Sequence, residues 1–435
     1  MGGIAGMLLV RNVETLCPAT DLSGRRDLWV KDGTLHLSDP GGKPEISIDG
    51  EGLLAVPGFI ELHAHLRDPG FPASETIATG LAAALAGGYT AVFAMANTRP
   101  PNDDPRITRG MIEAARACGS PVRLYPVAAA TLGLLGREAC DYPPQRKAGA
   151  AAVSDDGRPV LDDEVMAACM AGAARAGLPI FDHATHGPEP GGGIVHAGPA
   201  ALARGLAGLP REEEDRLVRR DIALSKRSGH GIHIQHLSTL GAIEAVREAR
   251  ASGVPVTAEA APHHLLLTDE DATGPDFKMN PPLREERDRR ALVEALLDGT
   301  VDAVATDHAP HAPELKARGL PGAPFGVIGM ESAFPALFTG LVLPGALPLD
   351  RLVRLLTSGP ASVGRVPGGR LEAGVRVELN LLDLATAFRF DSACLRSRSR
   401  NCPFLGRTLR GRVVATVAGD RLHVHRPERI RSEPL

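Results

Sequence analysis

Aromatic residues are scarce. Phe, Tyr and Trp together make up 3% of the 435 residues, which argues against base-stacking platforms for single-stranded nucleic acid. An excess of positive charge is lacking too: 48 Lys and Arg stand against 52 Asp and Glu, so no bulk field points to a nucleic-acid partner. The six cysteines are scattered with no Cys-x-x-Cys pair, and in so long a chain they read as reduced, mostly structural thiols of a cytoplasm. No apolar run approaches the roughly 18 residues needed to span a bilayer. The apolar stretch that ends at Arg11 is too short for an export leader. No Gly-x-Gly-x-x-Gly follows the first strand of the alternating region and no Walker sequence occurs, so nucleotide folds have no local support. The expectation is a soluble cytoplasmic protein with neither nucleic-acid nor membrane partners.

What is present is organised around Val56 to Gly70, V-P-G-F-I-E-L-H-A-H-L-R-D-P-G. His63, His65 and Arg67 come at spacing two, and residues i, i+2 and i+4 line one face of a strand. Two imidazoles on one face suit a metal such as zinc, and a cation beyond them suits an anionic substrate. Alone, His-x-His is a weak signal.

The ends of the chain read as short β segments, with turn signals every eight to twelve residues. Between them strand and helix alternate. Helices are expected over about 75–86, 162–176 and 211–227, the last with an acidic first turn and a basic last turn that match the helix dipole. Eight apolar strands separated by helical patterns predict an α/β fold of the (β/α)₈ TIM-barrel type. The expected domains are 57–365 for the barrel, with 1–56 and 366–435 forming one composite β-sandwich.

In such barrels active sites lie at the C-terminal ends of the strands. Strand one ends in His63-Ala64-His65-Leu66-Arg67, strand two in Asn97-Thr98-Arg99 and strand four in Ser154-Asp155-Asp156. Strand five ends in Asp182-His183, strand six in His233-Ile234-Gln235-His236 and strand eight in Thr306-Asp307-His308. His or Asp at one rim of five strands predicts a catalytic metal site. Strict alternation turns His236 inward together with Ile234 and Ile232, and turns His233 and Gln235 toward the helices. Alternation also favours Asp156 over Asp155 as the inward carboxylate, with Asp155 left open. His263 and His264 are expected in packing or surface roles, and His36, His423 and His425 as bystanders.

At these residues the chain resembles the dihydroorotases of the amidohydrolase superfamily. The matching runs are E-L-H-A-H-L-R-D-P-G (61–70), A-M-A-N-T-R-P (94–100), S-D-D-G-R-P-V (154–160), H-I-Q-H-L-S-T (233–239), F-K-M-N-P-P-L-R (277–284), A-T-D-H-A-P-H (305–311) and A-P-F-G-V-I-G-M-E-S (323–332), with N-C-P-F-L-G (401–406) beyond the barrel. The resemblance implies that His63 and His65 bind a buried zinc ion with Asp307, that His183 and His236 bind a second, and that the strand-four aspartate bridges them. Similar hydantoinases and allantoinases place a carboxylated lysine at the bridge, and strand four has no lysine. Arg67, Asn97 and His311 would hold a substrate carboxylate beside His65, with Asn280 and the Phe325-Gly326 backbone on the ring. Glu61 and Ala96 depart from the usual Asp and Pro, and Ala184-Thr185-His186 replace the usual residues after the strand-five histidine.

The implied activity is reversible cyclisation of N-carbamoyl-L-aspartate to L-dihydroorotate and water, with Asp307 as acid and base. The long connection from Thr306 to Phe325 is expected to act as a lid. A homodimer and an association with aspartate transcarbamoylase are the expected assemblies. The rival readings are a hydantoinase-like or allantoinase-like cyclic-amide hydrolase and a non-catalytic scaffold.

Overall fold

The eight apolar runs of the middle region pair in chain order as parallel strands. In the computed structural model, which describes residues 2–3, 6–185 and 192–433, strands one to four are Phe59–Ala64, Tyr89–Ala94, Arg123–Ala128 and Ala152–Val153. Strands five to eight are Phe181–Asp182, Ile232–Ile234, Val256–Ala260 and Ala303–Val304. Parallel bridges from Val153 to Ile180 and from Ala64 to His308 join the two halves and close the barrel. These strands are buried on both faces, against helices outside and each other's side chains inside. This is why they read as continuous apolar runs rather than as alternating ones. Ile60, Leu62, Phe93 and Phe181 fill the interior below the rim, with Val363 closing it from the following helix.

The helices begin and end where local chemistry satisfies their free backbone groups. The Thr76 side chain accepts from Thr79 N at the start of Ile77–Ala86, and Asp162 accepts from Glu164 N and Val165 N at the start of Asp163–Ala176. Gly177 ends that helix at φ 69°, a left-handed conformation that glycine adopts without steric cost. Helix Glu212–Ser228 carries four acids in its first turn and Lys226 and Arg227 in its last.

Both chain ends contribute to one ten-stranded sheet. Leu54–Pro57 from the N-terminal part pairs with Glu378–Asp383 from the C-terminal part, and Gly58 alone separates that strand from strand one of the barrel. The β-like run over 408–417 forms two strands rather than one. Thr408–Leu409 pairs with Phe388–Arg389, whereas Arg412–Ala418 joins the large sheet. Gly411 lies between them at φ 84°, where an added Cβ would come within 3.0 Å of the Phe334 and Phe338 rings. Ahead of it in the chain, Phe390, Leu395, Cys402 and Phe404 lie outside the large sheet and pack with Met279, Leu283 and Ile328.

Candidate metal centre

Strand one departs from strict alternation. Its register against strand two passes from Glu61–Val92 to Ala64–Ala94, three residues meeting two. Leu62 therefore joins the barrel interior and His63, the next residue, also faces inward. Glu61 sits at this slip, and its Oε1 accepts from His63 N (2.9 Å) and Thr306 N (3.0 Å). Burial pushes the Glu61 carboxyl up to about 8.

Above this level four histidines and two aspartates converge. His63 Nε2 lies 3.1 Å from Asp156 Oδ1 and 3.5 Å from Asp307 Oδ1. His65 Nε2 is 3.0 Å from Asp307 Oδ1 and 3.3 Å from Asp156 Oδ2. On the other side His183 Nδ1 and His236 Nε2 are 2.8 Å apart, at 3.4 and 3.8 Å from Asp156 Oδ1. Asp156 thus faces both histidine pairs, one oxygen toward His65 and the other toward the remaining three. Asp155 points away and accepts from Ala130 N, Thr131 N and the Thr131 hydroxyl.

Two sets, His63 with His65 and Asp307, and His63 with Asp156 and His236, bring their donor atoms within 4.8 Å of one another. Tetrahedral ligands of zinc at ~2.0–2.2 Å stand roughly 3.5 Å apart, so the spacing fits. Electrostatics fit as well. Burial opposes charge on His63, yet Asp156 and Asp307 override it and push its pKa well up. Burial likewise opposes charge on Asp156 and Asp307, and the histidines hold both well below the usual carboxylate range. Asp156 Oδ1 is buried without a hydrogen bond of good geometry, which leaves an oxygen for a cation to satisfy.

The ring nitrogens that face away from the cluster are held by partners. His63 Nδ1 is 2.8 Å from Glu259 Oε1, and Glu259 Oε2 is 3.1 Å from His233 Nε2, whose Nδ1 is 2.9 Å from Thr257 Oγ1. A carboxylate behind a metal-binding imidazole fixes its ring and raises its basicity. Strict alternation misplaces His233 and Gln235. His233 packs edge-on against Phe181 inside the barrel, and Gln235 lies between Ser154 and His63. His236 still reaches the cluster because its φ of 33° is left-handed, and the turn reverses the alternation. Arg67 (φ 58°) and Asp307 (φ 48°) are strained in the same way. Such backbone strain gathers where function fixes a side chain.

Asn97 Oδ1 contacts His65 Nδ1 at 2.8 Å, and Asn280 Nδ2 contacts His183 Nε2 at 3.0 Å, so both amides abut histidines of the cluster. Arg67 stands above the cluster, with Nε donating to Pro310 O at 3.1 Å and Nη2 3.4 Å from His311 Nε2. Among the described residues it forms no ion pair. His311 Nε2 is 2.6 Å from Phe325 O. Burial and the Arg67 charge push His311 down to about 2, leaving it neutral. At Gly326 (φ 125°) an added Cβ would lie 2.6 Å from Ala309 Cβ and 3.1 Å from His311 Nε2. The connection after strand eight is pinned by Lys278, which donates to Ala323 O and Pro321 O, and by Lys316, which donates to Pro275 O and Pro324 O. Asn401 holds it from the C-terminal segment, donating to Ala309 O (3.0 Å) and Gly326 O (3.1 Å) and accepting from His311 N (3.3 Å).

His263 and His264 are buried outside the cluster, with His264 Nε2 2.9 Å from Pro281 O. His186 lies outside the described residues. Glu259 and Asn401 escaped sequence reading. Glu259 had a signal, a lone carboxylate in the apolar run V-P-V-T-A-E-A, whereas Asn401 had none beyond its place in N-C-P-F.

Comparison with known proteins agrees with this geometry. Residues 52–241 match the family described as dihydro-orotase-like. A dihydroorotase from Anaeromyxobacter dehalogenans is 42% identical over 98% of this chain and 99% of its own. One from Halalkalibacterium halodurans is 44% identical over 86% of this chain and 88% of its own. Among solved structures, an L-hydantoinase (dihydropyrimidinase) from Arthrobacter aurescens superposes with a TM-score of 0.85 at 24% identity, covering 96% of each chain. A dihydropyrimidinase from Brevibacillus agri gives 0.80 at 20% identity over 96% of this chain and 95% of that one. These two show the shared barrel fold. Near-complete coverage at over 40% identity shows more: the chain belongs to the dihydroorotase family.

Proposed function

We propose that the chain is a dihydroorotase that interconverts N-carbamoyl-L-aspartate with L-dihydroorotate and water in de novo pyrimidine synthesis. The observation that carries this reading is Arg67: a partly buried guanidinium without a carboxylate partner, set above a cluster of four histidines and two aspartates. Such a guanidinium favours a planar carboxylate. Both forms of the substrate keep one free carboxylate, whereas hydantoin has none.

His63, His65 and Asp307 would hold one zinc ion, His183 and His236 the other, with Asp156 between them. A bound zinc ion would polarise the scissile carbonyl and acidify the attacking water. Arg67 anchors the free carboxylate, with neutral His311 beside it as a hydrogen-bonding partner. Asp307 takes a proton from the attacking water in ring opening and delivers it to the ring nitrogen as the C–N bond breaks. Cyclisation reverses these transfers. Asn280 Oδ1 is buried without a hydrogen bond. Rotating that amide by half a turn lets it accept from His183 Nε2–H and leaves Nδ1 free for the metal.

Ring closure consumes a proton, because two carboxylates become one. The ratio of closed to open forms therefore falls about tenfold per pH unit around neutrality, and cyclisation is favoured at lower pH. The catalytic unit is 57–365, and the parts 1–56 and 366–435 frame it. Cytoplasmic work, a homodimer and an association with aspartate transcarbamoylase belong to this reading through the family resemblance alone. Chelator-stripped protein reloaded with zinc tests the proposal. Carbamoyl aspartate should be cyclised only after reloading, with up to two zinc ions per chain. A protein that takes up no metal and turns over neither substrate would be a scaffold instead.

A further inference from the structure

A cavity of about 680 Å³ opens at the foot of the barrel, among the first residues of strands five to eight and so at the opposite end from the metal ligands. Its wall holds four guanidiniums, Arg250, Arg351, Arg354 and Arg365, and a single carboxylate, Asp302. That carboxylate is already spent. Its Oδ1 accepts from Arg250 Nη2 (2.8 Å), and its Oδ2 accepts from Arg250 Nη1 (3.1 Å) and Ala258 N (2.9 Å). Arg351 is held in place by carbonyls, with Nε donating to Leu296 O (2.5 Å) and Nη2 to Val301 O (3.4 Å), and it feels the repulsion of Arg354 as well as the attraction of Asp302, Asp298 and Asp350. Arg354 and Arg365 are exposed, and their guanidiniums make no hydrogen bond or ion pair among the described residues. Ser358 and Ser362 line the same space.

Two guanidiniums without a carboxylate partner, Arg354 and Arg365, stand with Arg351 around one hollow in a chain whose net charge is −4, and their field favours an anion there. Planar guanidinium forks and hydroxyl donors match the oxygens of a phosphate group. The volume lies in the range of small-molecule sites, ~300–1,000 Å³, and leaves room for more than inorganic phosphate. The geometry points to a second binding site at the barrel foot, for a phosphate-bearing small molecule. This site shares structure with the metal centre. His233 and Thr257 line the cavity, and the contacts from Thr257 through His233 and Glu259 end on His63.

The test is calorimetric titration of the metal-loaded full chain with inorganic phosphate, in chloride buffers of matched ionic strength. Saturable binding is expected. Arg354→Glu with Arg365→Glu should weaken it at least tenfold, and Arg67→Gln should leave it unchanged. The neutral pair Arg354→Gln with Arg365→Gln should give a smaller loss in the same direction, which guards against misfolding of the charge-reversed protein. No saturable binding, or binding that survives in both foot variants, would overturn the assignment. Binding lost in Arg67→Gln alone would place phosphate in the active site and overturn it too.

Discussion

His63 shows how much one side chain depends on its neighbours. Its Nε2 faces two aspartates and its Nδ1 is 2.8 Å from Glu259. Replacing Glu259 by Ala removes the group that orients the ring, and zinc affinity should fall about 10–100-fold, as measured by competition with a chromogenic chelator. Asp307→Asn keeps an oxygen for the metal but cannot carry the proton. Turnover should fall about 10²–10⁴-fold with zinc largely retained, read by kinetics together with elemental analysis. Activity near that of the unaltered protein would remove Asp307 from its proton-transfer role. The residues named from sequence were those whose chemistry is unusual for their place, histidines and aspartates at strand ends. What escaped was orientation. Alternation holds only while the backbone stays extended, and the slip at Glu61–Ala64 and the left-handed turns at His236 and Asp307 break it. Nothing in the residue names announces those turns.

Elements were legible wherever a helix carried its own caps. Asp162, Gly177 and the charged ends of Glu212–Ser228 mark their boundaries in the sequence itself. The C-terminal segment was not legible, since it leaves the large sheet after Asp383 and re-enters it at Arg412, past Gly411, which packs against the Phe334 and Phe338 rings far away in the chain. That segment brings Asn401 to the connection after strand eight. Asn401→Ala removes three hydrogen bonds, so the carboxylate pocket should loosen and KM should rise about tenfold, ~1.4 kcal/mol, with a smaller change in kcat. Steady-state kinetics would show the split. A second test concerns the ribbon of Val195–His196 with Gly208–Leu209. There burial, then Arg284 and Arg211, push His196 down to about 4. A depressed folded-state pKa gives stability that is present above the unfolded value of ~6.5 and lost as pH falls toward 4. Thermal melting should therefore decline more steeply between pH 6.5 and 4 in the unaltered chain than in His196→Gln.

At the scale of the whole molecule, the terminal sheet and the barrel are tied by a partly buried ion pair. Arg123 Nη2 from strand three lies 2.7 Å from Glu378 Oε2 of the sheet, and Glu378 also approaches Thr90. Arg123→Ala leaves that buried carboxylate with only the looser Arg376 Nε, 3.8 Å from its Oε1, and should cost about 1–3 kcal/mol, read as a lowered melting temperature. No helix among the described residues is long and apolar enough to cross a membrane. The central claim is that Arg67 and the metal cluster together select a cyclic amide bearing a carboxylate. Its most direct test is kcat/KM of the zinc-loaded protein for L-dihydroorotate beside hydantoin and allantoin. Losing a charge-assisted carboxylate contact costs roughly 1.5–3 kcal/mol, so dihydroorotate should be favoured by about 10- to 100-fold or more. Equal or faster turnover of hydantoin or allantoin, or no turnover of dihydroorotate, would contradict it.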